Sequence, residues 1–310
     1  MHISKALATA VSIAALAIGG FAACPAMSAD IAVETARGAV SVPEKPAIVA
    51  VFDLSSLDTL HTLGVDVAGV PGSNLPPSLE QYKADSYTKI GTLFEPDYET
   101  LNALQPDLII IGGRSAAKHD ELAKLAPVID LTADSNNFGA SIMRNATTLG
   151  AIFGKQAEVN DRLAKLEASV ADLTVLGAKA GKALIVLTTG GKMSAYGPGS
   201  RFGELHGRFG IAAADPDLTV ETHGQVVSYE YILEKNPDWL FVIDRDAAIG
   251  QSKGQSAEQM LDNDLVHATN AWKKGQVVYL DPVKMYLTSG GLAAEQGIVD
   301  DIASALKSRL

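Results

Sequence analysis

The sequence predicts an α/β protein of two lobes joined by one long helix, and three observations carry that reading. Short apolar strand patterns alternate with amphipathic helix patterns in both halves of the chain. Between the halves, from Phe138 to about Ala178, only helical spacing appears. One segment occurs twice: YETLNALQPDLIIIGGR at 98–114 and YEYILEKNPDWLFVIDR at 229–245 share Tyr, Glu, Pro, Asp and a final Arg at identical offsets, 131 residues apart. Strands alternating with helices imply mainly parallel sheets, and the echo places one copy of the same helix–strand unit in each lobe.

The elements follow in order. MHISKALATAVSIAALAIGGFAACPAMSA, residues 1–29, has a positive start at Lys5, an Ala-rich apolar run and small residues before Asp30. It reads as a secretory signal peptide cleaved near Ser28 or Ala29. Cys24 is the only cysteine, so no intramolecular disulfide is possible. The alternative to cleavage is an uncleaved membrane anchor; Phe21 stands three residues before Cys24, where a lipoprotein signal carries an aliphatic residue, which counts against the separate reading of lipid anchoring through Cys24. The first lobe is assigned to 30–154. IAVETARGAVSVPEKP alternates around Arg37-Gly38 as a hairpin, IVAVFD is a buried strand, and LSSLDTLHTLG is a helix stopped at Gly64. VDVAGVP, the strand half of the first echo and PVIDL continue the sheet. Residues 155–178 form the connecting helix, with Val159, Leu163, Leu166, Val170 and Leu173 at spacings of three and four. The second lobe, 179–310, restarts with KALIVLTTGG and contains the second echo, the strand VVYLD and a closing amphipathic helix. TTGGKMSAYGPGSRFGE, 188–204, reads as a Gly- and Ser-rich loop after a strand, with a long flexible hairpin as the other reading.

Composition bounds function. The chain has 310 residues, 47% apolar and 20% charged, which supports a large core without staples. The formal charge is −11, and loss of the leader would remove one Lys and no acid. An acidic balance argues against a nucleic-acid partner, while leaving room for a local basic pocket. Gly154-Lys155 lacks the rest of a phosphate loop, and no GxSxG, HExxH or CxxC occurs. The residues therefore indicate no enzyme and no permanent cofactor.

Glu99 and Glu230, in the first turn of each echo helix, are accounted for by the helix dipole alone. Arg114 and Arg245 each follow a buried strand at its carboxyl end. Ligands of open α/β sheets bind there, so two lobes would aim two guanidiniums at one cleft; either Arg alone also fits an unrelated surface role. Arg201, in the Gly-rich stretch, lies at the same edge. His61, His119, His206 and His267 show no paired zinc spacing. His223 and Tyr286 sit in loops near the second echo and the last strand, and imidazole with phenolate suits Fe(III).

These residues carry a resemblance. The chain over residues 30–310 resembles the periplasmic substrate-binding proteins of ABC importers that carry ferric siderophores, most of all the catecholate subgroup with petrobactin- and enterobactin-type ligands. The segments responsible are TARGAVSVPEKPAIVAVFD, GTLFEPDYETLNALQPDLIIIGGR, SAYGPGSRFG, THGQVVSYEYI and the turn Tyr286-Leu-Thr-Ser-Gly-Gly. The resemblance implies a helical-backbone substrate-binding fold: two Rossmann-like lobes on a rigid helix, a shallow cleft and little closure. It implies that Arg114, Arg201 and Arg245 contact the ferric catecholate. His223 and Tyr286 would fill iron sites that a tetradentate ligand leaves open. Glu99 and Glu230 would dock onto the inner-membrane permease. The implied protein is a periplasmic monomer whose ligand is cargo. Haem, cobalamin or a hydroxamate siderophore on the same fold is the alternative ligand. The main departure from the family pattern is the poor lipoprotein signal, which bears on membrane tethering.

Overall fold

The computed structural model describes residues 30–218, 223–251 and 254–310; the leader, its cleavage site and Cys24 lie outside the described residues. In the first lobe five short strands run parallel, in the order Thr88–Lys89, Gly69–Val70, Val49–Val51, Leu108–Ile111, Val128–Asp130. The central pair, Val49–Val51 and Leu108–Ile111, is buried throughout. Its uninterrupted Val, Ala, Leu and Ile is what a parallel strand covered on both faces requires. The hairpin Asp30–Thr35 with Gly38–Pro43 forms as expected, turning at Gly38 with φ 96°, and packs on the helix Phe138–Phe153.

The two echo units fold alike. Helices Tyr98–Leu104 and Tyr229–Lys235 are capped by Asp97 and Ser228, whose side chains accept from Thr100 N and Tyr231 N. They end at Gln105 and Asn236, in the left-handed conformation with φ 51° and 40°. Pro106-Asp107 and Pro237-Asp238 then prevent continuation and lead into Leu108–Ile111 and Trp239–Asp244.

The second sheet departs from the sequence expectation. Its order is Gln225–Val227, Lys192–Tyr196, Lys182–Thr189, Trp239–Asp244, Val277–Tyr279, with Ala212–Ala213 also pairing against Lys182 and Ala183. The first two strands are antiparallel, so this sheet is mixed. The stretch 188–204 is accordingly not a loop. Lys192–Tyr196 is a strand reached through Gly190-Gly191, both at positive φ (54° and 76°), as the favoured two-residue hairpin turn demands. Only Gly197–Gly203 remains as a turn. Trp239 and Phe241 anchor the core beneath this sheet, and the Trp239 indole donates to the Ala180 carbonyl at 2.8 Å.

Gln156–Gly177 is the long helix between the lobes, with Val159, Leu166, Val170 and Leu173 buried. The chain's last helix, Leu292–Arg309, adds a second link. It packs on the long helix and on Leu54–Thr62 of the first lobe. Asp58 of that first-lobe helix is 4% exposed; its carboxylate accepts from Ala293 N at 2.9 Å and Ala294 N at 3.2 Å. Thr59 Oγ1 accepts from Leu292 N at 3.2 Å, and Ser55 Oγ donates to the Ser289 carbonyl at 2.8 Å. The free N–H groups that open one helix are thus satisfied by side chains of another, 235 residues earlier.

Candidate ligand site between the lobes

The carboxyl ends of both sheets face one cavity of about 940 Å³, and Arg114, Arg201, Arg245, His223 and Tyr286 all line it. Three short devices aim the arginines. Gly112-Gly113 turns the chain after Leu108–Ile111, and a Cβ at Gly112 would lie 2.5 Å from Asp53 Oδ1, so only glycine lets the Arg114 loop leave the strand there. Arg245 opens the short helix Arg245–Ala248, whose cap, Asp244, accepts from Ala247 N at 3.0 Å. Arg201 stands on a tight turn in which Ser200 Oγ donates to the Gly197 carbonyl. A Cβ at Gly203 would lie 2.8 Å from Gly197 O and from Gly199 N.

Tyr286 is the hub. It sits in a single π-helical turn, Lys284–Thr288, a local irregularity common at functional sites. Arg114 and Arg201 each donate Nη2 to its carbonyl oxygen at 2.6 Å. Arg245 donates Nε to its hydroxyl at 2.9 Å and Nη1 to Thr189 Oγ1 at 3.2 Å. The three guanidinium carbons stand 5.5, 4.4 and 5.4 Å from the ring centre, within cation–π range. Burial works to push the Tyr286 phenol up. The hydrogen bond from Arg245 and the charges of Arg201, Arg245 and Arg114 outweigh it and hold the phenol below its ordinary value.

The charge is unbalanced. Among the described residues neither Arg114 nor Arg201 has a carboxylate within ion-pair distance, and Arg245 has only Asp246 at 3.6 Å. Asp53 also lines the cavity, but burial pushes its carboxyl up against the opposing pull of Ser56 and Arg114. Beneath the Arg201 turn lies a denser cluster. Arg208 Nη1 reaches Glu295 at 2.7 Å and Glu204 at 3.4 Å, and Nη2 reaches Glu167 at 2.9 Å. Glu295 is 0% and Glu204 7% exposed. Burial, then the charge of Glu295, pushes the Glu204 carboxyl well above the usual range. The two buried acids thus share the one Arg208 guanidinium.

The structure brings five of the seven sequence-predicted site residues together. His223 is an exposed member of the cavity wall, 21 residues before the end of the second echo strand. Glu99 and Glu230 stand apart, exposed on the first turns of their helices. Sequence reasoning missed Asp53, Phe94, Asn145 and Ser194, which also line the cavity. Asp53 had a usable signal, since it follows the strand Val49–Val51 at its carboxyl end as the arginines follow theirs.

A family model described as "Periplasmic binding protein" matches residues 49–283. The petrobactin-binding protein YclQ of Bacillus subtilis is 43% identical over 274 residues, covering 87% of this chain and 86% of that protein. Its crystal structure superposes with a TM-score of 0.86 at 42% identity, covering 90% and 99% of the two chains. The ferric-anguibactin-binding protein FatB of Vibrio anguillarum is 32% identical over 288 residues, 91% of this chain and 89% of that one. The crystal structure of the periplasmic catecholate-siderophore binding protein VctP from Vibrio cholerae gives a TM-score of 0.85 at 32% identity, covering 89% and 100%. With its two α/β lobes, its long connecting helix and a cavity at the strand ends, the chain belongs to the periplasmic binding protein family.

Proposed function

We propose that this chain is the periplasmic substrate-binding component of an ABC importer for iron, and that it captures an anionic ferric catecholate siderophore between its lobes. One observation carries the reading: three guanidiniums converge on Tyr286, and two of them lack any carboxylate partner among the described residues. An anion leaving water needs such replacement for its hydration. Arginine suits catecholates because its planar fork bonds oxygen pairs and stacks on rings. The names of YclQ and VctP, a petrobactin- and a catecholate-siderophore-binding protein, point the same way.

In this reading Arg114, Arg201 and Arg245 neutralise the catecholate oxygens. Tyr286, its phenol already lowered by its arginine neighbours, gives up its proton to coordinate Fe(III) where a tetradentate ligand leaves a site open, with Arg245 still donating to the same oxygen. His223, on the exposed wall, takes the second open site. The ferric ion is cargo and leaves with the ligand. Glu99 and Glu230, one per lobe, offer carboxylates to basic side chains of the permease, and the protein acts as a periplasmic monomer.

Titration of the purified protein with a ferric bis-catecholate tests this. The expected result is saturable fluorescence quenching with a charge-transfer band that shifts when Tyr286 joins the iron, and Tyr286→Phe weakens tetradentate complexes more than hexadentate ones. Tight binding of haem, cobalamin or a ferric hydroxamate, with none of any ferric catecholate, would overturn it.

A further inference from the structure

Phe94 is an exposed aromatic residue that the ligand reading above does not use. It is 54% exposed and lines the cavity between the lobes. A flexible loop would fold such a ring onto the protein, because an exposed phenyl group forfeits apolar burial. Here the backbone does not allow it. Thr92 N donates to the Glu95 carbonyl at 2.9 Å. Thr92 Oγ1 accepts from Phe94 N at 3.2 Å and from Glu95 N at 2.9 Å. Gly91 and Pro96 form an antiparallel bridge across the turn. Gly91 has φ 114°, and a Cβ there would lie 2.4 Å from the Glu95 carbonyl. Leu93, one residue earlier, is buried at 2% exposure, and Glu95, one residue later, pairs with Lys118 at 2.9 Å. The turn is pinned on both sides of Phe94, and the ring is left standing at the rim.

Position and chemistry together indicate what it meets. The arginines and Tyr286 supply charge, hydrogen bonds and a metal ligand at the cavity centre. The arginines stack on rings at the centre, and a flat ligand ring that reaches the first-lobe rim meets Phe94. A phenyl group on a pinned backbone fixes that ring's orientation at low entropic cost, since only its two side-chain torsions have to be ordered on binding. We propose that Phe94 is a specificity-determining residue that stacks on an aromatic ring of the ligand and selects ring-bearing ferric complexes over non-aromatic ones. This rests on the catecholate reading above.

The test is a titration of wild type, Phe94→Ala, Phe94→Leu and Phe94→Trp with one ferric bis-catecholate. Phe94→Ala is expected to weaken binding about three- to tenfold, the range of an aromatic pair. Phe94→Trp should stay within about twofold of wild type, and Phe94→Leu should recover less than half of the Ala loss. Because the side chain is exposed, thermal midpoints of the four proteins should coincide. Full recovery by Leu would show a merely apolar rim and overturn the stacking role. So would an unchanged Phe94→Ala affinity, including the case in which transport alone falls, which would place Phe94 on the docking surface instead. A wild-type protein that binds no ferric catecholate overturns the underlying reading and this one with it, whereas wild-type binding with an indifferent Phe94→Ala overturns this one alone.

Discussion

The two echo units have the same secondary structure and different chemistry at their ends. Arg114 follows its strand after two glycines and donates to the Tyr286 carbonyl; Arg245 follows its strand directly and donates to the Tyr286 hydroxyl. The first-lobe copy reaches the backbone of the tyrosine, which the second lobe's Arg201 also holds, and the second-lobe copy reaches its phenol. The ground beneath the arginines differs as well. In the first lobe the nearby acids are Asp53 and Asp130, the latter paired with Arg37 at 2.9 Å. In the second, Glu204 and Glu295 share Arg208. A repeated scaffold thus supplies symmetric cations, while the surroundings decide which end of a shared residue each one controls.

The largest expected effect removes what the copies share. Replacing both Glu99 and Glu230 by Ala should abolish uptake and leave soluble ligand binding unchanged, because both carboxylates stand exposed outside the cavity. The single variants measure how evenly the lobes divide the docking. Weakened binding in vitro would contradict the assignment.

Next come the arginines. Arg114→Leu and Arg245→Leu should each weaken a ferric catecholate by about one to two orders of magnitude, as loss of a charged hydrogen bond predicts. The pair separates in a spectroscopic titration of Tyr286. Arg245→Leu removes both a hydrogen bond and a charge that lower the phenol, so its pKa rises; Arg114→Leu removes only the weakest of the three charge effects and raises it less. Equal shifts would remove the distinction drawn here.

The buried acids give a pH prediction. The folded-state pKa of Glu204 lies above its ordinary value, so the stability linked to its proton is full at pH below the ordinary carboxyl range. It is lost as pH rises through the raised folded value. Glu204→Gln mimics the protonated form and should flatten that decline, giving a higher thermal midpoint than wild type on the alkaline side of the window. A steeper decline would place the proton elsewhere in the cluster.

Much of this was legible in the chain. Both echo helices begin and end at the expected residues because Asp97, Ser228 and the two Pro-Asp pairs mark them locally. The convergence of Arg114 and Arg245 followed from strand polarity; Arg201, expected on a loop after Lys182–Thr189, instead reaches Tyr286 from the turn after an antiparallel strand. The hairpin at Lys192–Tyr196 was only the second reading of its stretch, because its turn glycines lie inside a longer Gly-rich run. Tyr286 as hub was hidden for another reason: two of its contacts are to a backbone carbonyl, which every residue has. The Glu204–Arg208–Glu295 cluster and the Asp58 cap join residues up to 236 apart, and no local pattern signals such meetings. Asp58→Ala should cost about 1 kcal/mol in denaturant unfolding, the typical value of a lost helix cap.

The smallest effect comes from exchanging the two echo caps. Asp and Ser are near-equal caps, so Asp97→Ser and Ser228→Asp should each leave stability within about 0.5 kcal/mol. Function need not follow stability. The Ser228 hydroxyl hydrogen-bonds Glu230 and holds its carboxyl below the usual value. An ionised Asp at 228 has no proton to donate and adds a negative charge beside Glu230, so its pKa should rise. In the first lobe Asp97 already occupies the cap, with Thr100 N and Oγ1 as its donors at 3.0 and 2.8 Å. Serine there removes a charge near Glu99 without taking away a donor. If the glutamates dock the protein, Ser228→Asp should alter uptake more than Asp97→Ser at equal stability. Equal responses would mean that the two docking carboxylates are tuned alike in spite of their different caps.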